Sequence, residues 1–332
     1  MARYIVRRLA FFLLTLIFTS ILIFGLTRIL PGDVCRIKLG QAEATASTVN
    51  ACKQELGLNE PLLVQYGSWA TKFVQGDFGQ SFLSDDPNDS DNLAIFPELM
   101  QRLLNSGRLA LLTLVIAIPI SISLGVIAGL NENNLIDATI SVLTLSFVSI
   151  PEFVTGIFLI NVVALQWATN WDWLPFEINI TATGFDSSMS LWESMPFIIL
   201  PALTGTLVIL GYIARLTRAG VIEELKRDYV RTAELKGLPY WKVIIKHVLR
   251  NALLPTITVI AISIGWLMSG LVIIEAVFGY PGVGQYLIRG VLRRDLPRIQ
   301  AVVMITVMIF LAVNFLADLI YAFLNPRIRL EE

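Results

Sequence analysis

The chain has 332 residues, of which 55% are hydrophobic and 15% charged, and its mean hydropathy is +0.69. Soluble domains carry about 25% charged residues, so this composition and its long apolar runs place the chain in a membrane. The net charge of −1 gives no basic field for nucleic acid, the single His247 excludes histidine-based metal clusters, and Cys35 and Cys52 are too few for a tetrahedral zinc site.

Arg3, Arg7 and Arg8 precede an apolar run from Leu9 to Thr27. A secretory signal has an apolar region of about 7–15 residues and a small-residue cleavage site. This run is longer and continues into Arg28-Ile29-Leu30-Pro31-Gly32-Asp33. The expectation is an uncleaved first transmembrane helix with a cytoplasmic N-terminus. Arg28 to Arg108 is polar and uneven, and its acidic stretch from Asp85 to Asn92 suits a mobile loop tip. Cys35 and Cys52 both fall in this segment. An oxidising compartment permits a disulfide between them, and a reduced buried pair is the other reading.

Leu109 to Leu130 reads as the second span, with Pro119 inside it, and a link from Asn131 to Asp137 follows. The third span starts at Ala138 and is interrupted by Pro151-Glu152 before running on to Ala168. On an ideal straight helix Glu152 lies about 21 Å along the axis, well inside a hydrocarbon layer of about 30 Å. A carboxylate at that depth pairs with a positive group or backbone donor, or it lines a water-filled pathway. Pro151, Glu152 and Glu275 are therefore pathway candidates. Asp318 is a further acid in an apolar run. Trp167, Trp171 and Trp173 mark an interface, and Asn170 to Glu193 reads as an external loop. Phe197 to Ile213 is the fourth span, with Pro201, Gly205 and Gly211 allowing a bend or close helix approach.

The stretch from Arg215 to Arg250 carries nine Lys or Arg and four acids between two apolar spans. A short basic loop is expected on the cytoplasmic side. Leu225, Tyr229, Ala233 and Gly237 form one stripe. Trp241, Ile244, Ile245, Val248, Leu249 and Ala252 form an apolar helical face. Gly237 suits a left-handed helix end, and Pro239 the first turn of the next helix. By pattern this is either a pair of helices resting on headgroups or a docking element. The fifth span runs from Thr256 to Phe278 and the sixth from Ala301 to Leu324. Arg289, Arg293, Arg294 and Arg298 lie between them, on the external side of a six-span count. An amphipathic or re-entrant hairpin is expected there. No G-x-x-x-x-G-K-[ST], G-x-S-x-G, H-E-x-x-H or C-x-x-C occurs, so the chain has no recognisable ATP, hydrolase or metal signature.

Several blocks carry a family resemblance. YVRTAELKGLPYWKVIIKHVLRNALLP, with Ala233, Gly237, His247, Asn251 and Pro255 at the matching positions, resembles the cytoplasmic loop of ABC importer permeases, in particular the dipeptide, oligopeptide and nickel branch. Arg231 replaces the acid that names that loop. LPGD at Leu30–Asp33, GLNEPLLVQY, GDFGQS at Gly76–Ser81, SIPEFVTG, VIIEAVFGYPGVGQYL and the C-terminal NFLADLIYAFLNPRIRL resemble other parts of the same family in the same order. The resemblance implies an all-α integral membrane fold of six transmembrane helices with a sizeable external segment between the first two. Residues 1–105 are then an N-terminal helix plus external segment. Residues 106–330 are a five-helix core containing the loop 215–255.

It further implies a permease subunit, not an enzyme, of a bacterial inner-membrane importer for di- or oligopeptides, with both termini cytoplasmic. The implied coupling residues are Tyr229, Ala233, Glu234, Lys236, Gly237 and Leu238. The implied partners are a second homologous permease in a heterodimer, two ABC ATPase subunits and a substrate-binding protein. ATP and Mg belong to the ATPases, and this chain holds no cofactor. The alternatives are an ion-gradient-driven secondary transporter, or a permease of the same branch carrying a nickel chelate or oligosaccharide.

Overall fold

The computed structural model describes residues 2–29, 35–37, 39, 44–82, 94–167, 182 and 184–324. Among them the secondary structure is helical apart from turns and one isolated bridge between Gln80 and Ala94. The helices are α1 (Ala2–Ile29), α2 (Ala46–Glu55), α3 (Leu62–Val74), α4 (Ile95–Leu130), α5 (Leu135–Ser149), α6 (Glu152–Phe158), α7 (Leu191–Leu225), α8 (Asp228–Leu235), α9 (Tyr240–Val243), α10 (Leu249–Phe278), α11 (Val283–Arg293) and α12 (Leu296–Leu324). Wider π-helical turns extend α6 over Leu159–Trp167 and join α9 to α10 over Ile244–Val248. The LPGD block, Asp85 to Asn92, Trp171, Trp173 and the terminal NPRIRL lie outside the described residues.

Five helices among these residues are long and apolar enough to cross a membrane, and two bent pairs pass the same test jointly. One pair corrects the expected third span. Leu135–Ser149 and Glu152–Val163 meet at 105°. Pro151 has no N–H to continue the ladder and biases Ile150 to an extended conformation; Ile150 sits at ψ 128°. The straight-helix depth assigned to Glu152 therefore does not hold. The fifth apolar stretch also begins earlier than Thr256, running over Tyr240–Gly265, while Leu271–Phe278 and Val283–Arg293 form the second pair, bent by 79°.

The chain divides into two compact units. One comprises residues 106–281 and 312–332; the other comprises residues 2–105 and 282–311. Residues 282–311 thus group with the N-terminal residues and not with the rest of the five-helix core.

The first unit is built around α7. Two-thirds of its apolar window is buried (67%), against 17–28% in the other long spans, so α7 is the central helix and the others turn wide faces outward. Its start is fixed by a capping box, with Ser190 Oγ accepting from the Glu193 N–H at 3.4 Å and Glu193 Oε2 accepting from the Ser190 N–H at 2.8 Å. Leu200, Ile209 and Ile213 are fully buried in the core cluster. Close approach is made by small residues. A Cβ on Gly211 would sit 2.6 Å from the Thr144 carbonyl oxygen of α5, and one on Gly220 would sit 2.4 Å from the Ala252 carbonyl oxygen of α10. Without a hydrophobic drive between helices in lipid, such contacts supply much of the packing.

The second unit is held by polar and aromatic contacts. Arg298 and Asp295 are buried, with Arg298 Nε 3.2 Å from Asp295 Oδ2. Ser81 Oγ donates to Asp295 and accepts from Arg298 Nη2 at 2.9 Å. The Arg298 guanidinium stands 4.4 Å from the Tyr286 ring centre. Gln300 Nε2 donates to Thr27 Oγ1 of α1 at 2.6 Å. Where an amphipathic or re-entrant hairpin was expected between the last two spans, the structure has the single amphipathic helix α11, closed by Arg294 at φ 56°. Cys35 and Cys52 are joined in a disulfide with Cα atoms 5.8 Å apart.

Candidate functional site: the basic loop and its anchor

The loop between α7 and α10 is a small folded body with its own core. Val221, Val230, Ala233, Val243, Ile244, Val248 and Ala252 are buried together, with Tyr229, Leu225 and Leu238 packed against them. The docking stripe read from the sequence is thus mostly turned inward: Ala233 is buried, and Leu225 and Tyr229 are half-buried. The reason is geometric. Within one chain the loop helices must cover their own apolar face before offering one to a partner. What remains outward is a different set, Leu235 at 82% exposure, Trp241 at 65%, Ile245 at 61% and Tyr240 at 58%. Sequence periodicity placed Trp241 and Ile245 on one apolar face with Ile244 and Val248, and the structure splits that face, burying only the latter two of these four. Leu235 carried a signal there: two residues after Ala233 it points about 200° away around the helix.

The end of α8 is a compact turn. Gly237 N donates to Glu234 O at 2.9 Å and Leu238 N to Ala233 O at 3.4 Å, with Gly237 at φ 72°. This is the left-handed cap that glycine adopts without penalty. A Cβ on Gly237 would meet nothing within 4 Å, so the glycine serves backbone conformation and not close approach inside this chain. Pro239 is the N-cap of α9, one position before the first turn expected for it, with Lys242 N donating to its carbonyl at 2.9 Å. Glu234 and Lys236 are exposed beside the cap.

Tyr229 is the anchor of the loop. Its hydroxyl donates to Glu224 Oε2 at 2.5 Å and accepts from Asn251 Nδ2 at 3.3 Å. It also lies 3.4 Å from the His247 carbonyl oxygen. One phenol thus ties the end of α7 to the start of α10 across the loop. Burial, then the Glu224 carboxylate, pushes the Tyr229 pKa above its ordinary value, so the hydroxyl stays a neutral donor. The sequence singled out Tyr229, His247 and Asn251 separately, and the structure brings them together. Glu224 was missed because an acid at a helix end reads as surface charge. Lower in the same unit, Arg218 pairs with the buried Asp137 through Nε–Oδ1 at 2.5 Å and Nη2–Oδ2 at 2.6 Å. The acidic link of the sequence is the partner of the basic loop.

The pathway candidates are placed differently. Glu275 is 1% exposed and accepts from Ser106 Oγ at 2.5 Å. Pro151 is exposed and Glu152 half-buried at the start of α6. The helices that carry Glu152 and Glu275 meet at Gly156, where an added Cβ would stand 3.2 Å from Phe278 and Val277. Asp318 is half-buried in α12.

Residues 121–330 match the family described as binding-protein-dependent transport system inner membrane component, and residues 1–87 match the N-terminal family of such membrane components. The chain is 34% identical over 329 residues to proteins named glutathione transport system permease protein GsiC from Shigella flexneri serotype 5b (strain 8401) and Escherichia coli (strain K12), covering 99% of both chains in each case. It is also 34% identical to a probable peptide ABC transporter permease protein, y4tP, of Sinorhizobium fredii (strain NBRC 101917 / NGR234), over 99% of this chain and 100% of that one.

Proposed function

We infer the role of this chain from its family: it belongs to the binding-protein-dependent transport system inner membrane components, and it is a multi-pass permease subunit of an ABC importer, not an enzyme. Family membership carries an ATPase partner and a substrate-binding protein with it, and it removes the gradient-driven alternative.

The finer reading is our own. The solute is a small peptide or peptide-like molecule, supported by relatives named for glutathione and peptide transport. The chain forms half of the pathway beside a second permease, with two ATPase subunits binding ATP and Mg beneath them. Both termini and the 215–255 loop face the cytoplasm, supported by Arg3, Arg7, Arg8 and the loop's basic charge. The Tyr229–Leu238 region couples the ATPases to the spans. The observation that carries this is the contrast inside that region. Tyr229 and Ala233 are locked to α7 and α10, while Leu235 projects almost fully exposed from the same short helix. A rigidly anchored helix with an outward apolar residue suits force transmission, since motion applied at Leu235 passes through Tyr229 to both long helices.

Leu235→Glu in the reconstituted importer tests it. Solute-stimulated ATP hydrolysis and uptake are expected to fall together, with the amount of this chain in the membrane unchanged. Unaltered stimulation would remove the coupling role. Supplying the importer with labelled di- and tripeptides through its own binding protein separately tests the solute class, and uptake of a non-peptide solute alone would overturn it.

A further inference from the structure

The helix α3 is not accounted for by transport or coupling, yet it leaves large apolar side chains uncovered. Leu63 is 84% exposed, Val74 86% and Leu62 63%. Around the helix these residues belong to a continuous apolar arc. Trp69, Leu62, Phe73 and Tyr66 occupy its centre, and Ala70, Leu63 and Val74 carry it on along one flank at helical spacing. Ser68, Thr71 and Lys72 lie on the other side. Val64 is the one apolar residue outside the arc.

The depth of α3 can be read from its contacts with α1. The Phe24 ring meets Tyr66 at 5.5 Å and Trp69 at 5.7 Å between ring centres. The Tyr66 hydroxyl bonds Ser20 Oγ at 2.8 Å. Phe24 lies four residues before Arg28, about 6 Å along a helix axis, and Ser20 about 12 Å. α1 is long and apolar enough to cross a membrane. Its own side chains at this level, Ile21 at 52% and Leu26 at 55% exposure, are uncovered. Arg28, whose guanidinium stands 5.0 Å from the Phe24 ring centre, marks the polar end of the span. Amphipathic helices that lie in an interface bury their apolar face about 5–10 Å below the headgroups, and Tyr and Trp are enriched at that level. The contacts with Phe24 set α3 at this depth.

We propose that α3 lies in the membrane interface at the Ile29 end of α1, with the Leu63–Ala70–Val74 flank against lipid acyl chains and Lys72 at headgroup level. The occupant is lipid because the neighbouring α1 surface is already uncovered at the same depth, and because the polar edge of α3 carries a single cation. The inference rests on α1 crossing the membrane. It does not depend on the solute or on the coupling loop, so its failure leaves the importer reading untouched.

Collision accessibility of spin labels tests it in the full chain, purified with its associated subunits and reconstituted in bilayers of phosphatidylethanolamine and phosphatidylglycerol. Labels are placed through Leu63→Cys, Val74→Cys, Ser68→Cys and Lys72→Cys, with Cys35 and Cys52 occupied by their disulfide. The ratio of oxygen to nickel-chelate collisions is expected to be several-fold higher at positions 63 and 74 than at 68 and 72. Equal ratios at all four positions would place α3 in water. Shielding of positions 63 and 74 from both reagents would place a protein against them. Either result overturns the proposal. Should a cysteine variant fail to assemble, a lipid-borne photoreagent on the unaltered chain gives the same decision. The tryptic peptide ending at Lys72 is expected to be labelled, and its absence from the labelled set overturns the proposal.

Discussion

Two segments of this chain are rich in basic residues between apolar helices, and they use their charge in opposite ways. In the 215–255 loop, Lys226 reaches Glu132 at 3.1 Å with the lysine side chain 66% exposed, and Arg227 reaches Glu223 at 2.6 Å with the arginine 55% exposed. In the 282–311 segment, Arg298 and its partner Asp295 have side chains only 1% exposed. Exposed pairs sit in water, are screened by salt, and contribute little. A buried pair is intolerant of losing one member, because the other is then left as an uncompensated charge. Charge counting between spans treats the two segments alike and so assigns them to the same side of the membrane. The count is meaningful for the first segment, whose cations are exposed apart from the half-buried Arg218. In the second, Arg298 is part of the interior.

The comparison is tested most strongly at Arg298. Arg298→Ala strands Asp295 beside Ser81 and empties the space over Tyr286. A loss of about 3–5 kcal/mol is expected, read as a sharp drop in the thermal unfolding midpoint of the detergent-purified protein or in the amount that reaches the membrane. The double variant Arg298→Met with Asp295→Leu removes both charges and is expected to regain most of the loss. If the single and double variants unfold alike, the buried pair is not what separates the two segments.

Tyr229 stands between these extremes, because a half-buried neutral hydroxyl serves a charged acceptor. Tyr229→Phe keeps the ring in the loop core and removes the bonds to Glu224 and Asn251. Hydrogen bonds to charged groups are worth about 1.5–3 kcal/mol, and Glu224 keeps part of its solvation here. The expected effect is local: faster hydrogen exchange over residues 224–251, weaker solute-stimulated ATPase activity, and a nearly unchanged global unfolding midpoint. A global loss as large as that of Arg298→Ala would show that the loop is not the separable body described above.

How much of this was legible beforehand depends on what each residue contacts. The helical membrane fold was readable because apolar length is a one-dimensional property. Gly237 was readable because a left-handed helix end leaves few alternatives to glycine. The inward turn of the 229–237 stripe was not, since periodicity finds an apolar face without saying whether the chain or a partner covers it. The bend at Pro151 was visible as a break, but its angle depends on which helices α6 packs against, and that moved Glu152 off the expected straight axis. The buried group of Ser81, Tyr286, Asp295 and Arg298 was beyond reach for a different reason. Ser81 lies more than two hundred positions before the other three, and no local pattern joins it to them.

The smallest effect is expected at Lys226. Its ammonium contacts Glu132, but both partners keep much of their water, with Glu132 36% exposed. The Coulomb gain is offset by the entropy of holding a long side chain in one geometry. Lys226→Ala is therefore expected to shift stability by no more than about 1 kcal/mol, and any shift should shrink as salt is raised from low to physiological strength. Arg298→Ala should show no such salt dependence, because ions do not reach a buried pair. Measuring both variants across salt concentration in the same detergent thus separates the two kinds of basic segment by mechanism and not only by size. A salt-independent loss at Lys226 would mean that its contact with Glu132 is shielded in the assembled protein, as it would be if a partner subunit covered this end of the loop.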